Sequence, residues 1–287
     1  INNIPEVYSK WVDHHLKTVV ARLLPTHIRD SDHIRNSLLE HFPNGLPAGA
    51  RIFSIDAVSM YSNIDTDHGI EVVHTWLQRY KNELPEDIPS DFIVTALSLI
   101  MKNNIFQFGD TFWRQLRGTA MGTSAAVNYA NLYVGLLEVT RLLQRYKKQL
   151  LFLKRFIDDG IGVWVNTPDN PHAWSSFLRA LNKWGSLKWT TDGHTDSLVF
   201  LDLVISIQAG TNRLHFKTYQ KEMNLYLYIP PNSAHPDGLL RGLILGRLRA
   251  YWYQNTDIND YIHMAKLLAN RLVARGYSRK CILPLFM

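Results

Sequence analysis

The chain has one cysteine, Cys281, in 287 residues. That excludes an internal disulfide framework and a thiolate-rich zinc site. Its 12 histidines are scattered, and the one adjacent pair, His14 and His15, points to different faces of a helix. No apolar run reaches transmembrane length, the first residues carry no signal-peptide pattern, and there are no internal repeats or low-complexity linkers. No membrane partner is therefore expected. Acidic residues are the scarcer charge, 25 against 31 basic ones, for a formal net charge of +6. Such an excess is compatible with nucleic acid without demanding it.

What is present supports a sizeable core: 46% of the residues are hydrophobic and 20% charged. Val7, Trp11, Val12, Leu16, Val19, Val20 and Leu23 share one helical face, which Pro25 ends. A short helix in SDHIRNSLLEHF takes Ser31 or Asp32 as its cap. ARIFSIDAVSMY is a β run. DTDHGIEVVHTWLQRYKN is a helix capped near Asp65 or Thr66, and SDFIVTALSLIMKNN a helix capped by Ser90. NIFQFGDTFWRQL reads as a hairpin. The glycine-rich turn RGTAMGTS then leads into one long helix, AAVNYANLYVGLLEVTRLLQRY. The hairpin LLFLKRFIDDGIGVWVN follows, then a helix in PHAWSSFLRALNKWG and three strand-like runs, SLKWTT, SLVFLDLVISIQ and RLHFKTYQ. From Leu239 the chain is mostly helical and basic. This order predicts an α+β fold with an antiparallel sheet.

Asp158 and Asp159 stand side by side in the turn of the second hairpin, where like charges repel. Alone, the pair fits a solvated turn. Asp56 closes another apolar strand, and two strands of one sheet could bring these carboxylates together. Oxygen ligands without nearby Cys or His favour a hard cation that keeps waters and phosphates in its shell, as Mg²⁺ does. Two such ions about 4 Å apart can activate a hydroxyl and stabilise a leaving pyrophosphate.

Asp56 with Tyr61 five positions on, RGTAMGT before a long helix, and Phe-Ile-Asp-Asp on a hairpin resemble, in that order, reverse transcriptase palms. The resemblance is closest to the reverse transcriptases of Penelope-like retroelements. It runs through MYSNID, NNIFQFGDTFWRQLRGTAMGT, NYANLYVGLLE, RFIDDGIGVW, VFLDLVI, NLYLYIPPNSAHP and ARGY, nearly the whole chain. It implies a right-hand polymerase palm, an antiparallel sheet backed by helices, over residues 1–237, with thumb-like helices over 238–287. With no linker-like segment between them, one cooperative unit is expected.

The resemblance also implies roles. Asp56 and Asp158 would ligate two Mg²⁺ ions, with Asp159 assisting. Tyr61 would lie under the incoming sugar and exclude a 2′-hydroxyl by sterics. Gln115, Gly118 and Gly122 would lie against the templating base and incoming nucleotide. Lys188 would donate a proton to the departing pyrophosphate, with Lys183 and His194 as rivals. VFLDLVISIQ and RLHFKTYQ would form the hairpin gripping the primer end, Asp202 being structural. Arg241, Arg247 and Arg249, with Tyr251 and Trp252 close behind, suit a phosphate backbone and stacked bases. On a helix, some of them would instead be a solvated face.

The implied activity is RNA-directed DNA polymerisation, with an RNA template, a DNA primer and deoxynucleoside triphosphates as partners, in the nucleus. Nothing in the sequence specifies an oligomeric state. The chain departs from the family at Val127, where a proline is usual, and at Lys221-Glu222, where Lys-Pro is usual. A fingers segment with basic residues precedes the first helix in the family. Here the chain opens INNIPEVYSK without a methionine and closes on apolar CILPLFM, so the ends are expected to be cuts through something longer. Two alternatives remain from other classes: a polymerase-derived nucleic-acid-binding scaffold without catalysis, and a nucleotide cyclase, which would leave RGTAMGT and the primer-grip-like hairpin unexplained.

Overall fold

The computed structural model describes residues 4–86, 88–236 and 238–286. Helix α1 spans Ile4–Leu23 and buries Val12, Leu16, Val19, Val20 and Leu23 along the expected stripe. Val7, assigned to that stripe, is 60% exposed, and the adjacent Tyr8 packs against the core instead. Helix α2 (Ser31–His41) is capped by Asp30, one residue before the nearer expected cap Ser31, because the Asp30 carboxylate accepts from the His33 amide at 2.8 Å. The β run ends early: β1 is Ala50–Ala57, and the chain turns into the short helix α3 (Met60–Asn63). Tyr61 therefore projects from a helical turn rather than a strand.

Asp65 caps α4 (Thr66–Arg79) by accepting from the His68 amide. Helix α5 (Ser90–Lys102) has Pro89 at its N-cap with no side-chain cap bond, and Ser90 is its first residue rather than its cap. The expected hairpin forms from β2 (Ile105–Phe108) and β3 (Thr111–Arg114), with every residue of both strands exposed. The long helix is interrupted. Helix α6 (Ala126–Leu137) passes into a π-helical turn over Glu138–Leu142 before α7 (Leu143–Arg145). Strands β4 (Leu150–Phe156) and β5 (Asp159–Val165), helix α8 (Ala173–Asn182) and strand β6 (Trp189–Thr191) follow. The run SLVFLDLVISIQ is two strands, β7 (Ser197–Phe200) and β8 (Leu203–Ile207), because Leu201 takes φ 52° and turns the chain; β9 is Leu214–Thr218. Helices α9 (Leu239–Gln254), α10 (Ile258–Ala274) and α11 (Arg279–Ile282) follow, with a 3₁₀ turn over Leu283–Leu285 after them.

The chain divides into two compact units, residues 1–28 with 49–194, and residues 29–48 with 195–287. That division does not coincide with the expected boundary after Asp237, a residue outside those described: β7, β8 and β9 group with the C-terminal helices and with α2. In the first unit an antiparallel sheet in the order β4-β5-β1-β6 is covered by helices. Phe53, Ile55 and Ala57 of β1 join Val12 and Leu16 of α1, Trp76 of α4, Leu97 of α5, Tyr129 and Tyr133 of α6 and Phe177 of α8 in one core. Gly162 of β5 faces Phe53, and a Cβ there would meet the ring at 2.2 Å; this explains a glycine within a buried strand. The second unit holds the sheet β7-β8-β9 and a separate core in which Ile244 and Tyr251 of α9 pack with Met264, Leu268 and Leu272 of α10. Together these elements make an α+β fold with antiparallel sheets and C-terminal helices.

Candidate active site

Strand pairing brings the predicted carboxylates to one end of the first sheet. Asp56 lies directly opposite Asp159 in the β1–β5 ladder, and directly opposite side chains share a face. Asp158 occupies the β4–β5 turn, and its carbonyl accepts from the Ala57 amide at 3.2 Å. On the other side of β1, the Val58 amide donates to the Lys188 carbonyl at 2.9 Å. The end of β1 is thus held between the segments that carry Asp158 and Lys188. Thr190 pairs with Asp56, so strand alternation puts Lys188 on the face that carries Asp56 while Trp189 points to the core. Asp56 and Lys188 are exposed, and Asp158 and Asp159 are partly exposed.

Tyr61 is half-buried against the core. Burial raises its phenol above the usual range, and the Asp158 charge raises it further. The turn carboxylate is thus within electrostatic reach of the phenol. The glycine-rich loop is fastened to the same helical turn. The Thr119 amide donates to the Tyr61 carbonyl at 2.6 Å, and the Thr66 hydroxyl donates to the Gly118 carbonyl at 3.2 Å. Gly118 takes φ 90°, and a Cβ there would lie 2.6 Å from the Tyr61 carbonyl oxygen; only glycine allows this approach. Gln115 knits the loop: its amide nitrogen donates to the carbonyls of Arg117 and Thr119, and its amide oxygen accepts from Asn104 at 2.7 Å. Gly122 also takes a positive φ, but it faces open space.

Lys183 and His194, the rivals of Lys188, have their own surroundings. Lys183 follows α8 and lines a cavity of about 510 Å³ with Arg141 and Arg145. His194 lies against Trp174, with ring centroids 4.2 Å apart, and burial lowers its pKa. Asp202 accepts from the Ser31 hydroxyl at 3.3 Å within the second unit, a structural contact. Arg241, Arg247 and Arg249 are all exposed on α9 but do not form one stripe, since residues 247 and 249 stand on nearly opposite sides of a helix. Arg247 lines a cavity with Tyr219, Lys221 and Tyr226, whereas Arg249 lies over the Tyr253 ring at 5.7 Å.

Among the described residues no three His, Cys, Asp or Glu side chains converge as a ready-made cation cage. The donor set at the β1 end still suits Mg²⁺. That ion is ordinarily held by one or two carboxylates, with waters and substrate phosphates completing its octahedron.

Sequence reasoning missed two residues at this site. Arg155 and Glu138 form a fully buried ion pair, Nε to Oε1, at 2.6 Å. The signal was available: a single acid within the apolar stretch LLEVTRLL, and an arginine at a core-facing position of a strand.

A sheet with carboxylates at the end of one strand and on the adjoining hairpin, beside an aromatic-bearing turn, has the palm-type fold of reverse-transcriptase-like polymerases. Comparison with solved structures agrees. Telomerase from Candida albicans, solved with a TWJ fragment of telomeric RNA, superposes with a TM-score of 0.66 at 11% identity, over 98% of this chain and 50% of that one. Apo telomerase from Candida tropicalis gives 0.56 at 9% identity, over 98% and 53%. The BmCPV RNA-dependent RNA polymerase at its elongation state gives 0.61 at 13% identity, over 95% and 24%. This chain therefore spans about half the length of those telomerases and a quarter of the viral polymerase. No protein-family model and no curated protein matches it.

Proposed function

We propose that this chain is the palm and thumb portion of an RNA-directed DNA polymerase of the Penelope-like type, extending a DNA primer on an RNA template. The observation that carries the reading is the position of Asp56, Asp158 and Lys188 on three adjacent chain segments at one sheet end, joined by the Ala57–Asp158 and Val58–Lys188 backbone bonds. The telomerase and viral polymerase relatives support an RNA template.

Asp56 and Asp158 would hold two Mg²⁺ ions, with Asp159 across the ladder assisting. The ions would supply activation of the primer hydroxyl and neutralisation of charge on the triphosphate. The protein's part is positioning and electrostatics rather than covalent chemistry. Gln115 and Gly118 form a rigid backbone surface against which the base pair being built can lie. The Tyr61 ring supports the sugar and crowds a 2′-hydroxyl, selecting deoxynucleotides. Lys188, on the face of Asp56, gives a proton to the departing pyrophosphate, and its three N–H donors suit that leaving group. Arg241, Arg247 and Arg249, spread around α9, contact the backbone of the duplex at separate points.

Primer extension on an RNA template with Mg²⁺ and deoxynucleotides tests the reading. Extension that Asp158→Asn abolishes is the expected result. RNA binding without extension by the unaltered chain, or by a longer chain containing it, would instead make the fold a non-catalytic scaffold.

A further inference from the structure

The five N–H groups of Arg155 are all engaged although its side chain is 1% exposed. Nε donates to Glu138 Oε1 at 2.6 Å and Nη2 to Glu138 Oε2 at 3.2 Å. Nη1 and Nη2 donate to the side-chain oxygen and the carbonyl of Asn131, each at 3.0 Å. The remaining Nη1 bond, 2.6 Å long, goes to the Ile157 carbonyl. Four acceptors thus lie on α6 and its π-helical turn, and the fifth is the peptide that enters Asp158.

Two features show that this last bond holds something in place. Ile157 takes φ 57°, a left-handed conformation that a β-branched residue adopts only under constraint. The Ile157 carbonyl and the Asp158 amide share one rigid plane, so fixing that oxygen fixes how Asp158 leaves the turn. The anchor is itself anchored: the Thr26 hydroxyl donates to Glu138 Oε2 at 2.5 Å, and the Arg155 amide donates to the Thr26 carbonyl at 2.7 Å. The π-helical turn starts at Glu138, and such turns commonly mark functional positions.

We propose that Arg155 is a positioning residue for Asp158. Through the Ile157 carbonyl, the buried Arg155–Glu138–Asn131 cluster holds the hairpin turn in its left-handed form and keeps the Asp158 carboxylate at the cation site. The role rests on the polymerase reading for its kinetic consequence, but not for its effect on cation binding.

The test is Arg155→Lys, which keeps the charge opposite Glu138 but cannot bridge it to the Ile157 carbonyl with a planar fork. The variant is compared with the unaltered chain by thermal melting, by Mn²⁺ titration followed by electron paramagnetic resonance without nucleic acid, and by primer extension. Mn²⁺ affinity and kcat are each expected to fall about 10- to 100-fold, with KM for the deoxynucleotide unchanged. Ile157→Gly, which adopts a positive φ without a clamp, is expected to shrink the Arg155→Lys penalty when the two are combined, a coupling that a purely structural ion pair would not show. A folded Arg155→Lys chain with unaltered Mn²⁺ affinity and kcat overturns the proposal, as does a penalty of equal size in the Ile157→Gly background. Should Arg155→Lys not fold, Thr26→Val takes its place in the Mn²⁺ titration, and unchanged affinity there is the overturning result. Arg155-dependent Mn²⁺ binding by a chain that extends no primer would sink the polymerase reading and leave the positioning role standing.

Discussion

Asp56 faces Asp159 across the β1–β5 ladder, one residue from the bond between the Ala57 amide and the Asp158 carbonyl. Strand β1 and the β4–β5 hairpin thus carry these carboxylates at one end of the sheet, where Asp56 is exposed and Asp158 and Asp159 are partly exposed. Without a cation, their mutual repulsion opposes folding rather than aiding it.

That repulsion separates activity from stability. Asp56→Asn and Asp158→Asn are each expected to lower the extension rate at least about 1000-fold, since several kcal/mol of charge stabilisation depends on them. In chelator, the same variants are expected to be as stable as the unaltered chain or more so, by up to about 1 kcal/mol. Chemical denaturation with and without chelator, beside primer extension, checks both halves.

Tyr61 gives a specificity prediction. Tyr61→Ala is expected to raise ribonucleotide use relative to deoxynucleotide by up to on the order of 100-fold. Tyr61→Phe is expected to leave the ratio alone, because the ring rather than the hydroxyl does the excluding. Competitive incorporation on one template reads out the ratio, and equal ratios for Tyr61→Ala and the parent would remove Tyr61 from the sugar site.

Gly118 and Gly122 are expected to differ although both have positive φ. Alanine at 122 meets nothing and costs only the left-handed strain, about 1–2 kcal/mol. Alanine at 118 pays that strain and also strikes the backbone of Tyr61 and Ser62. Gly118→Ala is therefore expected to be the less stable variant and to raise KM for the nucleotide. Paired melts and steady-state kinetics compare them.

The buried ion pair predicts strong non-additivity. Arg155→Met alone strands the Glu138 carboxylate in the core and is expected to cost about 3–5 kcal/mol. Arg155→Met combined with Glu138→Leu is expected to recover most of that stability while activity stays low. Urea denaturation of the single and double variants measures the coupling.

Alkaline pH supplies a further check. Burial raises the phenols of Tyr133 and Tyr251 to about 12 and pushes Tyr129 up as well. Below the unfolded value of about 10, folded and unfolded chains bind the same phenolic protons and stability is unaffected. Above it the unfolded state gives up its protons first, so stability is expected to fall from about pH 10 through pH 12. Denaturation midpoints across that range, followed with phenolate absorbance, show whether these tyrosines ionise only on unfolding.

How far the sequence alone could reach is clear from particular residues. The order of Asp56, RGTAMGT and Phe-Ile-Asp-Asp pointed to the palm, and Asp65 was legible as a cap because the acidic first turn of its helix is a local signal. Lys188 beside the end of β1 was assigned by family position, and the pairing of Val58 with Lys188 is what puts it there in space. Three things were not legible, each for a physical reason. The break at Leu201 depends on a φ that no side-chain preference announces. The π-helical turn at Glu138 is an irregularity within a continuous apolar pattern, visible only once Arg155 is placed against it. The grouping of α2 with β7 to β9 is a long-range packing choice, and periodicity carries no information about it.

That grouping has a consequence for synthesis. Every strand of the four-stranded sheet has left the ribosome once residue 191 is out. Residues 29–48 emerge early, yet their partners begin only at residue 195. At about 5–20 residues per second they wait on the order of ten seconds or more, with Ile34 and Leu38 still uncovered by those partners. The carboxylate-bearing half can thus be finished while the apolar side of α2 still awaits its cover.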